Sequence, residues 1–336
     1  MTPEDAGDRP RATGLDVDWQ AAGRWAGRLA SPGPTPSRAE LQVLVQDLHA
    51  TASRARPLAV RASRLGQALD GAGNTDLEPE LLVLDRAGWA RGAAQAIEAM
   101  TTPPGPAPEA RRVTQAPATA QAAGLLGLLA GRVIGQFDPF GGPGAGGRLM
   151  LVAPNVLRTE RALAADPADF RLWVCVHEQT HALQMAAAPW LAEHLRTAVT
   201  ALLQDLAGTS TAQDLVSAVG RGLRALRAGR EDVEALSLLD LALDERHREQ
   251  VEAVTAVMAL LEGHADVTMD AIGVRAVPSV RRLRARMEAR RRNAGGTDRW
   301  LRRLLGLDGK YAQYREGAAF VRAVRRAGGR DALEAV

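Results

Sequence analysis

Apolar residues recur in steps of three and four over most of this chain, the spacing of helices that bury one face. Asp18 precedes one such run, which reaches about Leu29 and stops at the breaker Ser31-Pro32-Gly33-Pro34. Ser37 opens another run through Leu41, Leu44 and Leu48. Gly88 to Met100 reads as helix, Thr101 to Pro108 as a linker, and Ala120 to Ile134 as a further apolar block. From Asp169 the chain reads as helical nearly to its end. Asp169 is placed to cap a helix that stops before Pro189. A long helix opens near Asp244 and runs to Gly273, with Val251, Val254, Met258, Leu261, Ala265, Met269 and Ile272 along one stripe.

Two short apolar runs break this rhythm. Leu81 to Leu84 has the character of a strand, and so does Arg148 to Val152. The second run follows Gln136 to Phe140 and the glycine-rich turn Gly141 to Gly147, so the two sides of that turn predict a loose hairpin. The turn lacks the lysine and hydroxyl residue of a phosphate-binding loop. The pattern therefore predicts a mostly α (α+β) fold with a small sheet. Residues 1–15 are expected to be a disordered lead-in and 16–330 a single domain. Within it lie an N-terminal helical part (16–115), a catalytic core (116–273) and C-terminal helices (274–330).

Composition fits this picture. Hydrophobic residues make up 46% and aromatics only 4%, so the core must be built from Ala, Leu and Val, which favours helix. The 42 basic and 39 acidic residues leave a formal charge of +3, too small to point to nucleic acid. The densest basic stretch, Arg275 to Arg292, still carries Val280, Leu283 and Met287 at helical spacing and reads as a solvated amphipathic helix. The single cysteine, Cys175, excludes an intrachain disulfide and reads as a small buried side chain. No run approaches about 18 uncharged apolar residues, and the N-terminus has no apolar leader. The expectation is a cytoplasmic protein with no membrane span and no nucleic-acid partner.

The chemistry concentrates in Trp173-Val174-Cys175-Val176-His177-Glu178-Gln179-Thr180-His181, an HExxH pattern inside a predicted helix. Residues four apart are separated by about 40° around the axis and one turn along it, so both imidazoles can reach one ion. Glu178 is turned by about 100° from His177 and can face the open coordination position without binding the metal. A carboxylate there can take the proton of a water that a zinc ion has acidified. Buried histidines at this spacing need partners, and Leu172, Val174, Val176 and Leu183 would bury this helix.

A catalytic zinc site needs a third protein ligand. His181 is followed by Ala-Leu-Gln-Met-Ala-Ala, so no third histidine comes from the same helix. Leu260-Leu261-Glu262-Gly263-His264-Ala265-Asp266 offers the best candidates. Glu262 and Asp266 share a helix face, so one carboxylate can bind the metal and the next can hydrogen-bond a ligand imidazole. His264 competes with Glu262, but the two lie about 200° apart and cannot both aim at one ion. The pair Glu262 and Asp266 resembles the Glu-x-x-x-Asp arrangement of gluzincin metallopeptidases, which favours Glu262. Gly263 removes a side chain where two helices would pack closely.

Further stretches extend the likeness. They include Gly135 to Phe140 (GQFDPF), Gly147 to Val156 (GRLMLVAPNV), Asp169 to Glu178 (DFRLWVCVHE), Thr180-His181 and Pro189-Trp190-Leu191. Leu261 to Asp270 (LEGHADVTMD) and Leu304 to Gly317 (LLGLDGKYAQYREG) continue the series. Together they resemble the zincin-like metallopeptidases, type 2, a mainly actinobacterial family, over most of the chain from about Val17 to Gly329. The resemblance implies a mostly helical zincin-like fold with an HExxH active-site helix, one zinc ion per chain, and a peptide or protein substrate. It also implies an edge strand above the metal cleft, with Leu149 to Val152 placed to supply it. The family is often tied to deazaflavin-coenzyme biosynthesis by genome association. The tail after Gly329 is shorter than the family pattern.

Amide hydrolysis needs a donor for the developing oxyanion beyond the metal. Of the two tyrosines, Tyr311 and Tyr314, the second is the candidate, with His247 and His264 as alternatives. Arginines of the 275–292 stretch are candidates for a peptide carboxylate. The leading expectation is a zinc metallopeptidase with His177, His181 and Glu262 as ligands and Glu178 as general base. The alternatives are a catalytically silent zincin-fold binding module, or a zinc hydrolase of a non-peptide amide or ester.

Overall fold

The computed structural model describes residues 17–101, 116–207, 245–292 and 307–328. The expected lead-in, and the 101–108 linker after its first residue, lie outside them. Helices α1 (Trp19–Leu29), α2 (Arg38–Ser63) and α3 (Gly66–Gly71) precede strand β1 (Glu80–Leu84). After α4 (Arg86–Thr101) and α5 (Ala116–Ala130) come β2 (Gly135–Asp138) and β3 (Arg148–Val152). The remaining elements among the described residues are helices: α6 (Ala153–Ala162), α7 (Pro167–Ala187), α8 (Trp190–Ala207), α9 (Glu245–Ala276), α10 (Val280–Arg292) and α11 (Leu307–Gly328). The fold is mostly α with one small mixed sheet, as the residue pattern predicts.

Local chemistry sets the helix starts. Asp18 Oδ1 accepts from Ala21 N at 2.8 Å and caps α1. Ser37 and Glu40 form a reciprocal capping box at the start of α2. One start differs from expectation: α7 is capped by Asp166, not Asp169. Pro167, with its fixed φ and missing N–H, suits the first helical position and moves the cap one residue ahead of it. Asp169 instead uses its carboxylate between helices, accepting from Ser279 N at 2.7 Å just before α10. The long helix α9 breaks at Gly273, where φ is 68° and only glycine is unstrained.

The sheet runs in the order β1-β3-β2, with β1 parallel and β2 antiparallel to β3. All five residues of β3 are buried, and they alternate between two cores. Leu149 and Leu151 face a core built with α2, α7 and the ends of α9 and α10, including Leu48, Phe170, Val176, Met269 and Leu283. Met150 and Val152 face a second core of Ala22, Ala26, Trp89, Ala93, Ala123 and Leu126 from α1, α4 and α5. Burial on both faces explains why β1 and β3 read as unbroken apolar runs. Small residues let the second layer close up: Gly23 packs on Ala94 and Gly27 on Ala87. This is how a chain so poor in aromatics still fills its interior.

The basic stretch forms α10, which buries Val280 and Leu283. Two of its arginines are structurally engaged: Arg284 pairs with Asp270 at 2.6 Å, and Arg286 donates to the Leu163 and Ala164 carbonyls. Cys175 is fully buried, and burial pushes its thiol up to about 12. Among the described residues, no helix is long and apolar enough to cross a membrane.

Directly across the β2–β3 pair, Arg148 donates to Asp138 at 2.7 Å and to the Gly92 carbonyl at 2.9 Å, both buried, and to the exposed Gln95 at 2.9 Å. Removing one partner of a buried ion pair strands the other charge. Asp138→Ala is expected to cost about 3–5 kcal/mol, read as a lower urea midpoint. A cost below about 1 kcal/mol would mean the pair does not hold the hairpin.

Candidate metal centre

Helix α7 carries the HExxH pattern through the first core, with Phe170, Leu172, Val174, Val176 and Leu183 buried around it. Polar side chains on such a helix are costly unless each finds a partner. His177 and His181 sit one turn apart with their rings at 87° and centroids 4.6 Å apart. Their Nε2 atoms converge to 3.2 Å. Glu262, from α9, reaches the same point: Oε2 lies 3.7 Å from His177 Nε2, and Oε1 lies 3.7 Å from His181 Nε2.

Among the described residues, His177, His181 and Glu262 form a group that can share one metal ion, with ligand atoms within 4.8 Å of one another. The donor set fits such an ion. Metal–nitrogen bonds of about 2.0–2.1 Å in a tetrahedral arrangement place two ligand nitrogens roughly 3.3 Å apart. The observed 3.2 Å between the Nε2 atoms matches that edge. A carboxylate as third ligand completes the two-histidine, one-glutamate set of catalytic sites that keep one position open.

Glu178 lies beside this group and is buried. Burial, and then the charge of Glu262, raise its carboxyl to about 8, against a hydrogen bond from the Phe137 N–H that acts downward. A cation held by the three ligands would oppose both upward effects. Strand β2 makes room for this carboxylate. A Cβ on Gly135 would stand 2.6 Å from Glu178 Oε1, so only glycine leaves the space.

The strand flanking the site is therefore β2, which corrects the expectation for Leu149 to Val152. β3 is the middle strand, with both backbone edges paired, because β1 docks on the side that the hairpin leaves open. Val152 N donates to Ile134 O across the antiparallel pair. By the alternation of such a ladder, Gly135 and Phe137 turn their backbone groups away from β3. These groups border the Glu178 side of the site.

The remaining candidates fall in several places. His264 is buried but does not join the ligand group; it bonds Ser63 O and Gln184 Nε2, each at 2.9 Å. This matches the expected divergence from Glu262. Asp266 receives Arg284, with its side chain 3.7 Å from the guanidinium and its carbonyl accepting at 2.7 Å. Tyr314 belongs to α11, but its side chain, like that of His247, lies outside the described residues.

Three residues at the site escape the sequence reading. Met269 Sδ lies 3.2 Å from His177 Nδ1, and Gln184 Oε1 lies 2.9 Å from His181 Nδ1. The third is Gly135. Gln184 had a usable signal: it stands three residues after His181, on the same face of an otherwise apolar turn. Met269 and Gly135 carried none, since Met269 reads as an ordinary member of a stripe and Gly135 stands just ahead of the Gln136 to Phe140 run.

A family model described as zincin-like metallopeptidase matches residues 17–336. Among solved structures, the chain is similar to one described as a "putative hydrolase with a novel fold from Chloroflexus aurantiacus". The identity is 26% and the TM-score 0.57, over 93% of this chain and 88% of that one. No curated protein matches the chain.

Glu262 is held by a close helix crossing. A Cβ on Gly263 would collide with the backbone of Gly317 and Ala318 in α11, and one on Gly317 with Ala259 in α9. Replacing glycine by alanine inside a free helix stabilises it by about 1 kcal/mol. At this crossing the sign should reverse: Gly263→Ala is expected to lower stability by about 1–3 kcal/mol in denaturant titrations. A stabilised variant would mean that the two helices can move apart freely.

Proposed function

The chain belongs to the zincin-like metallopeptidase family, and from that footing we propose that it is a zinc-dependent peptidase. His177, His181 and Glu262 hold one zinc ion per chain, and Glu178 is the general base. The observation that supports this most directly is the convergence of three ligand atoms within 4.8 Å, with a buried carboxylate alongside that is not one of them. A purely structural site has no use for that fourth group.

Zinc at this position supplies Lewis acidity to the scissile carbonyl and brings a water within reach of deprotonation near neutral pH. Glu178 accepts the proton that the water loses as its oxygen adds to the carbonyl carbon. It then delivers that proton to the departing nitrogen as the carbon–nitrogen bond breaks. The Phe137 N–H keeps the carboxylate aimed during both transfers. The Gly135 N–H and C=O and the Phe137 C=O lie on the edge of β2 turned away from β3, where they can hold the backbone of an extended peptide next to the proton carrier.

Two finer roles belong to the same proposal. Asp266 orients His177 from one turn beyond Glu262, and Tyr314 donates to the developing oxyanion. Tyr314 lies one turn ahead of Gly317, where α11 meets the Glu262 helix.

Metal analysis of the purified protein is expected to give about one zinc per chain, and Glu262→Ala to lose it. Glu178→Gln should keep the metal while cleavage of a peptide library falls by about 100-fold or more. Absence of stoichiometric zinc, or undiminished cleavage by Glu178→Gln, would overturn the assignment.

A further inference from the structure

Beyond the ligands, a line of hydrogen bonds runs from the end of one helix to the imidazole of His181. His264 Nε2 lies 2.9 Å from the Ser63 carbonyl, and its Nδ1 lies 2.9 Å from Gln184 Nε2. Gln184 Nε2 also donates to the Leu261 carbonyl at 2.9 Å, and Gln184 Oε1 lies 2.9 Å from His181 Nδ1. Gln184 and His264 are both buried.

The proton positions along this line are forced by its ends. A carbonyl oxygen only accepts, so His264 must carry its proton on Nε2, toward Ser63. Ser63 is the last residue of α2, where carbonyls lack a partner within the helix, so the bond also closes that helix end. The Leu261 carbonyl requires the amide nitrogen of Gln184 on its side, and the second N–H of that nitrogen meets the bare Nδ1 of His264. The amide oxygen is then left facing His181, whose Nδ1 must be the donor. With its proton there, His181 has a lone pair on Nε2, the atom 3.2 Å from His177 Nε2 and 3.7 Å from Glu262.

We infer that Gln184 and His264 are positioning residues of the metal centre: anchored on two backbone carbonyls, they fix the ring angle and the Nδ1–H tautomer of His181. The inference rests on the metal-binding reading of His177, His181 and Glu262. Gln184 does a second thing in the same geometry. Its bonds to Leu261 and His264 straddle Glu262 in sequence, so one amide ties the α7 ligands and the α9 ligand at a set spacing. A side chain that only satisfied buried polar groups would have no bearing on which His181 nitrogen is bare. Fixing that nitrogen is what outer partners of a ligand imidazole contribute to metal affinity.

The test uses the full chain. In the metal-free protein, nitrogen–proton NMR of the six histidines should show His181 protonated at Nδ1 and His264 at Nε2. Zinc affinity is then measured by chelator competition for the parent, Gln184→Met, Gln184→Glu and His264→Phe, with circular dichroism reporting the fold. Gln184→Met, which has similar bulk and no acceptor oxygen, should weaken zinc by about 10- to 100-fold while remaining folded. Gln184→Glu restores an acceptor opposite His181 but has no N–H for the Leu261 carbonyl and His264 Nδ1, so it should recover part of the loss. His264→Phe frees the amide to turn and should fall between the two. The inference is overturned if His181 carries its proton on Nε2, if folded Gln184→Met binds zinc as tightly as the parent, or if Gln184→Glu is as weak as Gln184→Met. Should Gln184→Met not fold, the parent tautomer and the Gln184→Glu affinity still decide. A parent that takes up no zinc would instead sink the metal reading, with the tautomer result standing apart from it.

Discussion

Four ionisable side chains, Glu178 buried and His177, His181 and Glu262 half-buried, share a small space, and their mutual cost governs the design around them. Glu178 is pushed toward its neutral form by burial and by the nearby charge of Glu262. Two imidazole nitrogens approach to 3.2 Å with little else between them. An arrangement of this kind is unfavourable on its own terms and becomes favourable when a divalent cation lies at the focus. The surrounding structure accordingly spends its rigidity on keeping these groups from turning away. Bistable or loosely packed elements would let them escape to solvent.

That rigidity has identifiable sources. α7 is pressed against the sheet by Leu149 and Leu151 on one side and held to α10 by Asp169 on another. α9 is fixed by the crossing at Gly263 and Gly317, and its straight course ends at the left-handed Gly273. The edge strand β2 contributes backbone alone, a missing Cβ at Gly135 and an N–H at Phe137. Most of these devices fix the helix that carries a site residue, and those of β2 act on the Glu178 carboxylate itself.

The helices and the paired histidines were legible because their signals are local. A four-residue spacing places His177 and His181 together without any knowledge of the fold, and the capping residues Asp18 and Ser37 announce themselves. Glu262 was within reach because its helix stripe is long enough to define a face. Apart from one helix cap, what failed was non-local. Whether β3 is an edge or a middle strand depends on β1, which lies far back in the chain and carries no mark of its partner. Asp166 and Asp169 are equally good caps in isolation, and Pro167 decides between them. His264 looked like a rival ligand because its true partners, Ser63 and Gln184, come from two other helices.

The parallel pairing of β1 with β3 has a consequence for dissecting this protein. The middle strand draws one of its two neighbours from the first third of the sequence, and the helices between them cover its far face. A fragment beginning after Leu84 would leave five buried residues with a bare row of amides and carbonyls along one side. Such an edge recruits strands from other molecules. Autonomous pieces holding only the HExxH helix and its glutamate partner should therefore self-associate through the sheet, and the smallest well-behaved unit must start ahead of Glu80.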